Sequence, residues 1–102
     1  MEIEWMPEAL ENYIKTLEYW DRHNASPIYS DKIEQEIILL ENEIAENPYF
    51  LARYFDELNL YRRSILKGKF FIYYEIREED KIIEIQHFRS AKQKPLYSNF
   101  ND

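Results

Sequence analysis

The 102-residue sequence has no cysteine, a single glycine and two histidines. Without cysteine there is no disulfide framework, no thiolate metal site and no thiol nucleophile. That absence fits a reducing compartment, and a cytoplasmic location is expected. One glycine, Gly68, cannot build a glycine-rich phosphate loop or a nucleophile elbow. His23 and His87 fall in different elements with no paired ligand spacing, so neither a metal nor a cofactor is expected. No serine adjoins an obvious base, which leaves a Ser/His/Asp reading without support. No apolar run approaches the length that spans a bilayer, and no membrane partner is expected. The opening Met1–Leu10 lacks the basic start and apolar centre of a signal peptide.

What is present is apolar and aromatic. Hydrophobic residues make up 45% of the chain and aromatics 17%, nine of them tyrosine. That composition belongs to a packed domain and not to a disordered segment. The length suits a single domain over residues 1–102. The net charge of −7 is unevenly spread: residues 1–57 hold 4 Lys/Arg against 14 Asp/Glu, and residues 58–102 hold 9 against 6. An anionic partner, if there is one, should meet the second half. Plain surface glutamates on helices account for the acidic half equally well.

Periodicity orders the chain. Ile3 and Trp5 alternate with Glu2 and Glu4, which predicts a short strand with one buried face. Pro7 suits the first turn of a helix running to about Asn24, with Glu8 favourable at its N-terminus and Met6 a weak cap. Leu10, Tyr13, Ile14, Leu17 and Trp20 form its apolar stripe. Asn24–Pro27 breaks it. Ser26 can cap a second helix with Pro27 in its first turn, and Ile33, Ile37, Leu40 and Ile44 mark the buried side. Asn47-Pro48 ends it. Residues 49–59 read as an irregular aromatic connector. Residues 61–66, 69–77 and 82–88 then read as strands, with Lys67-Gly68 a tight turn that needs positive φ. A basic tail, residues 89–102, follows. The fold class expected is α+β, in the order strand–helix–helix–strand–strand–strand, with a helical hairpin packed on one face of a small antiparallel sheet.

A two-residue turn at Lys67-Gly68 sets the register: Ile65 opposite Phe70, Arg63 opposite Ile72, Arg62 opposite Tyr73. Alternation points Phe70, Ile72, Tyr74 and Ile76 at the helices. The open face then carries Arg62, Ser64, Phe71, Tyr73, Glu75, Arg77, Glu84, Gln86 and Phe88. Continuing the pairing puts His87 opposite Ile72, on the helix side, where a histidine is more often structural than catalytic. Arg63 falls at the core edge, suited to a helix glutamate. Glu75 and Glu84 stand opposite each other, unfavourable unless Arg77 or a partner neutralises them. Aromatics interleaved with arginine can stack nucleic-acid bases. Equally, the C-terminal tail can cover this face.

Several words in order resemble the RelE/ParE toxins of bacterial toxin–antitoxin pairs. They are Ile3–Ala9 (IEWMPEA), Glu18-Tyr19-Trp20, Ser26–Ile33 (SPIYSDKI), Glu46-Asn47-Pro48, Tyr61–Leu66 (YRRSIL), Phe70–Ile76 (FFIYYEI) and Ile85–Arg89 (IQHFR). The resemblance covers residues 2 to about 95. It implies a toxin neutralised by a cognate antitoxin. One branch of the family consists of ribosome-dependent mRNA endonucleases that act without metal; the other, ParE-like, poisons DNA gyrase and is not an enzyme.

RNA cleavage needs a proton taken from a ribose 2′-OH, a proton given to a 5′-oxygen, and positive charge at the phosphate. The resemblance makes Arg62, Arg89, Tyr97, Glu75 and His87 the catalytic candidates. Arg62, Phe71, Tyr73, Phe88, Arg89, Lys92 and Lys94 are the target-binding candidates. Phe71 stands where some RNase members carry an arginine. That departure, the acidic net charge and the helix-side His87 favour the ParE-like reading, with gyrase as target. RelE-like mRNA cleavage on the ribosome is the alternative, and a non-toxic chain that only binds its antitoxin is a third. A plain interaction module of another assembly also stays open. An acidic hairpin cannot hold an acidic antitoxin by charge, so apolar anchoring is expected through Tyr19, Tyr29, Tyr49, Phe50, Tyr54 and Phe55. Either a homodimer or a hetero-oligomer with the antitoxin is compatible with this reading.

Overall fold

The computed structural model describes residues 1–94 and Leu96. Its elements are β1 (Glu2–Trp5), α1 (Pro7–Asn24), α2 (Ile28–Glu46), β2 (Arg53–Phe55), β3 (Leu60–Ile65), β4 (Phe70–Arg77) and β5 (Ile82–Ser90). Five strands form one sheet in the order β1-β5-β4-β3-β2. The helices pack on one of its faces. The α+β expectation holds, with two corrections. The sheet is mixed and not wholly antiparallel, because β1 lies parallel to β5, pairing Glu2 with Ile82 and Trp5 with Ile85. The helical hairpin between them carries the chain back to the starting end, which makes a parallel pairing reachable. The connector also contains a strand: Arg53, Tyr54 and Phe55 pair antiparallel with Arg62, Tyr61 and Leu60.

Both helices start without a side-chain cap on the residue before them. Ser26 nonetheless works one residue earlier: its Oγ accepts the Ile28 N–H at 3.2 Å. Ser30 ties the hairpin, donating its hydroxyl to Asp21 of α1. The α2 stripe is as expected, with Ile33, Ile37, Leu40 and Ile44 all buried. The α1 stripe is rotated. Ala9 is fully buried, and Tyr13, Leu17 and Trp20 pack on the core, whereas Leu10 and Ile14 are 41% and 46% exposed. Ala9, and not Leu10, is the residue of the first turn that faces the sheet.

The core is Ile33, Ile37, Leu40 and Ile44 of α2 against Ile65, Phe70, Ile72, Tyr74, Ile83, Ile85 and Phe88 of the sheet. Each such side chain contributes about 1.5–3 kcal/mol by leaving water. Tyr74 needs a partner for its hydroxyl and donates it to the Pro48 carbonyl at 2.7 Å. Burial pushes its pKa up to about 12. Arg63 sits at the core edge as expected, paired with Glu43 and donating to the Phe50 carbonyl at 3.1 Å.

The β3–β4 hairpin follows the expected register, Arg62 opposite Tyr73 and Ile65 opposite Phe70. Lys67 and Gly68 both have positive φ, and the Lys69 N–H closes the turn on the Leu66 carbonyl at 3.2 Å. In β4–β5, Ile76 pairs with Ile83 and Tyr74 with Ile85, again as expected. The register then slips between Tyr73 and Tyr74. Gln86 is the extra residue of a β-bulge. Beyond it Tyr73 pairs with His87 and Ile72 with Phe88. This reverses the sequence expectation for two residues. His87 moves to the open face, and Phe88, expected there, is 2% exposed in the core. The energetics favour the bulge. Strict alternation would bury an imidazole without a partner and leave a phenyl ring in water. The bulge also lies where β5 loses its outer neighbour: β1 pairing stops at Ile85, whose carbonyl accepts the Met6 N–H at 2.8 Å.

Candidate functional site on the open sheet face

The open face has two ends of different character. At one end Glu75 and Glu84 stand opposite each other, as expected. Arg77 neutralises both, with Nε 3.0 Å from Glu75 and a terminal nitrogen 2.8 Å from Glu84. Gln86 donates to the second oxygen of Glu84 at 3.0 Å. Glu84 is only 8% exposed, so this network holds a nearly buried carboxylate. Its acceptors are taken up within the sheet, and Glu75 is bound to Arg77 instead of standing free as a base.

At the other end is a cleft of about 390 Å³ lined by Arg53, Phe55, Arg62, Phe71, Tyr73, Arg89 and Lys94, with Ser90, Ala91 and Gln93 at its rim. Arg53, Phe55, Arg62, Phe71, Tyr73 and Arg89 follow from strand alternation, and the end of β5 and the segment after it supply the rest. Arg53 and Phe55 are i and i+2 on β2, Arg62 faces Arg53 on β3, and Phe71 faces Arg89 across β4 and β5. Phe55, Leu60 and Tyr73 form a small second core on this face, with Leu58, Phe71 and Leu96 packed against it. The Arg62 guanidinium lies over two rings, 4.7 Å from the Phe55 centroid and 4.3 Å from that of Phe71. Arg53 lies 4.8 Å over Phe55. Arg89 donates to the Lys94 carbonyl, which folds the segment after β5 back across the cleft. Among the described residues, none of Arg53, Arg62 and Arg89 is paired with a carboxylate.

His87 stands beside the cleft, its ring edge-on to Tyr73. Burial first and the Arg89 charge second hold its pKa below the usual 6.5, with Glu8 opposing them weakly. The imidazole is therefore neutral near pH 7 and able to accept a proton.

The structure thus brings together Arg62, Phe71, Tyr73, Arg89 and Lys94 on one wall, with His87 adjoining. Phe88 lies behind the sheet. Lys92 turns to the helix side, lining a smaller cavity with Trp20, Tyr29 and Lys69. Tyr97 lies outside the described residues. Among the described residues no group of His, Asp or Glu could hold a metal ion. Sequence reasoning missed Arg53. Its signal was the alternation of Arg53 and Phe55 about Tyr54, masked because Tyr54 and Phe55 are adjacent aromatics on opposite faces.

The six aromatics expected to anchor an antitoxin separate into groups. Tyr29 packs on Trp20, and exposed Tyr19 stacks on His23, at the turn between the helices. Tyr49 and Tyr54 both lean on Tyr61 past the end of α2, beside exposed Phe50. Phe55 is buried on the open face and is no longer available as an anchor there.

No family model matches the sequence, and no curated protein matches it. Solved structures do match. The chain resembles a chain of the intact E. coli RelBE toxin–antitoxin complex with a TM-score of 0.60 and 12% identity, over 90% of this chain and 98% of that one. It resembles the isolated E. coli RelE toxin with a TM-score of 0.61 and 12% identity, over 95% and 90%.

The chain has the RelE fold. At 12% identity the likeness fixes the arrangement of elements and not the chemistry. The likeness extends over 90–95% of this chain. No helix of the described residues is long and apolar enough to cross a membrane.

Proposed function

We propose that this chain is the toxin of a toxin–antitoxin pair and that it cleaves mRNA on the ribosome, as a RelE-like endonuclease. One observation carries the reading: three arginines without carboxylate partners among the described residues converge on one cleft, with a neutral histidine on the same face. The RelE fold of the matched structures supports it. The expectation of a gyrase poison rests on the acidic net charge, a missing sheet cation and a helix-side histidine. Arg53 in the cleft supplies a sheet cation and the bulge at Gln86 puts His87 on the open face, and both support the RelE-like alternative over the gyrase reading.

In this reading His87 takes the proton of the ribose 2′-OH, and the freed 2′-oxygen attacks the adjacent phosphorus. The bond to the 5′-oxygen breaks, leaving a 2′,3′-cyclic phosphate on one fragment and a 5′-hydroxyl on the other as that oxygen takes a proton from water and His87 returns its own to solvent. Arg53, Arg62 and Arg89 offset the charge that builds on the phosphate oxygens in between. The overall charge of −7 does not oppose this, because the acids lie mainly in the helical half and local charge governs the cleft. An antitoxin partner belongs to the same proposal, as does the use of the aromatic groups at the two ends of α2 to anchor it.

The test is to programme ribosomes with a defined mRNA, add the purified chain and map new 5′ ends by primer extension. New 5′ ends should appear when ribosomes are present and not on the same mRNA without them. Arg62→Ala should lower the cutting rate by roughly 10²–10³-fold, the usual cost of removing one transition-state donor. Intact mRNA at concentrations that arrest growth would refute the reading.

A further inference from the structure

Arg62 is unusual among the cleft cations. It lies on β3, and a phenyl ring reaches it from the strand on either side, Phe55 from β2 and Phe71 from β4. Among the described residues its side chain makes neither an ion pair nor a hydrogen bond. A guanidinium has five N–H donors in one plane and meets an aromatic ring over that ring's face. With rings on both flanks, its freedom to rotate is restricted while its donors stay unused. The cross-strand neighbour is Arg53, a like charge directly opposite. Such a pair is unfavourable unless an anion lies between its members. Phe55 carries both guanidiniums and Phe71 carries one, so both phenyl rings of the cleft already meet arginine.

We propose that Phe55 and Phe71 are positioning residues that hold the Arg62 guanidinium edge-on to a phosphodiester, so that the cleft takes its RNA by the backbone and not by stacking on the bases. This rests on the endonuclease reading above and adds to it the part of the substrate that is recognised. It also replaces the expectation that these rings stack bases. Phe71 is half-buried, so its value lies in fixing Arg62 more than in filling a core.

The experiment uses the full-length chain and a short single-stranded RNA with 2′-O-methyl groups, which cannot be cleaved. A second probe has the same backbone and no bases. The expected result is that the two probes bind within about threefold of each other. Phe71→Leu and Phe71→Met should each weaken both by roughly 3- to 30-fold, the range of a partly desolvated cation–π contact. Phe71→Tyr, which keeps the ring, should restore most of that loss. Arg62→Lys should lose a similar factor, and adding Phe71→Leu to it should cost little more, since the ring then has no guanidinium to hold. The Arg62 side-chain proton resonances should be shifted upfield by the two rings in the unsubstituted protein and return toward ordinary arginine values in Phe71→Leu. Losses that multiply in the double variant, or a probe with bases binding more than tenfold tighter than one without, would overturn the proposal. If Phe71→Leu changes nothing while Arg62→Ala abolishes binding and cleavage, the positioning role fails and the endonuclease reading stands. If Arg62→Ala changes neither binding nor growth arrest, both fall.

Discussion

His87 and Tyr73 face each other across β4 and β5 with ring centroids 6.1 Å apart and planes at 83°. That pairing exists only because Gln86 is bulged out of the register. It puts the imidazole among three groups that set its titration: the Tyr73 ring that buries it, the Arg89 charge that lowers its pKa, and Glu8 of α1 that opposes the lowering.

A pH dependence follows. The folded chain holds His87 below the usual 6.5, while the unfolded chain takes up the proton at the ordinary value. The stability tied to the neutral imidazole is complete above the unfolded pKa. It is lost as pH falls through the folded one. Urea midpoints measured between about pH 7 and pH 5 should fall with pH more steeply in the wild type than in His87→Gln. An imidazole that titrates above 6.5 by NMR would contradict the buried, Arg89-facing placement.

The same bulge separates two phenylalanines that adjoin in register. Phe88→Ala should destabilise by about 3–5 kcal/mol, the cost of removing a fully packed ring. Phe71→Ala, on the half-open face, should cost about 1 kcal/mol or less. Chemical denaturation compares the two directly. Equal losses would mean that the strand alternates without a bulge.

Arg77 binds two facing carboxylates, of which Glu84 is nearly buried. Arg77→Ala should lower the melting temperature, because it leaves a buried charge beside a like charge. Glu84→Gln should recover part of that loss in the Arg77→Ala background while adding nothing to the wild type. A melting temperature unmoved by Arg77→Ala would show that the pair is solvated and contributes nothing.

The antitoxin proposal has its own readout. If the exposed aromatics at the two ends of α2 anchor the partner, raising salt from about 0.1 to 1 M should weaken the complex little. Tyr19→Ala and Phe50→Ala should each raise Kd by roughly tenfold or more. Calorimetry at both ionic strengths measures this. Salt-induced dissociation would point to ion pairing instead.

Much of this arrangement was legible in the sequence, for definite reasons. The spacing of Ile33, Ile37, Leu40 and Ile44 is unambiguous helical periodicity, and Gly68 fixes a turn whose register propagates to Arg62 and Tyr73. Arg63 could be placed from that register, and the facing glutamates beside Arg77 from the four-residue turn that follows. What failed was alternation carried past Ile85. A bulge leaves no mark on composition, and Gln86-His87-Phe88 reads as ordinary strand. The decision between burying an imidazole and burying a phenyl ring depends on α1, which packs against β5 from far away in sequence. Arg53 was missed for a related reason: β2 has three residues, too few for a periodic signal. Ala9 shows a third limit, since a small residue carries too little hydrophobic signal to outweigh Leu10 and Ile14 in setting which side of α1 is buried.

The central claim is that this RelE-fold chain stops translation by cutting mRNA. Pulse labelling of protein and DNA synthesis in parallel, over the first minutes after tightly controlled induction in a bacterial host, tests it most directly. The account predicts that protein synthesis stops first, and that Arg62→Ala abolishes this early arrest while the chain accumulates to the same level. DNA synthesis stopping first, with Arg62→Ala still arresting growth, would contradict it.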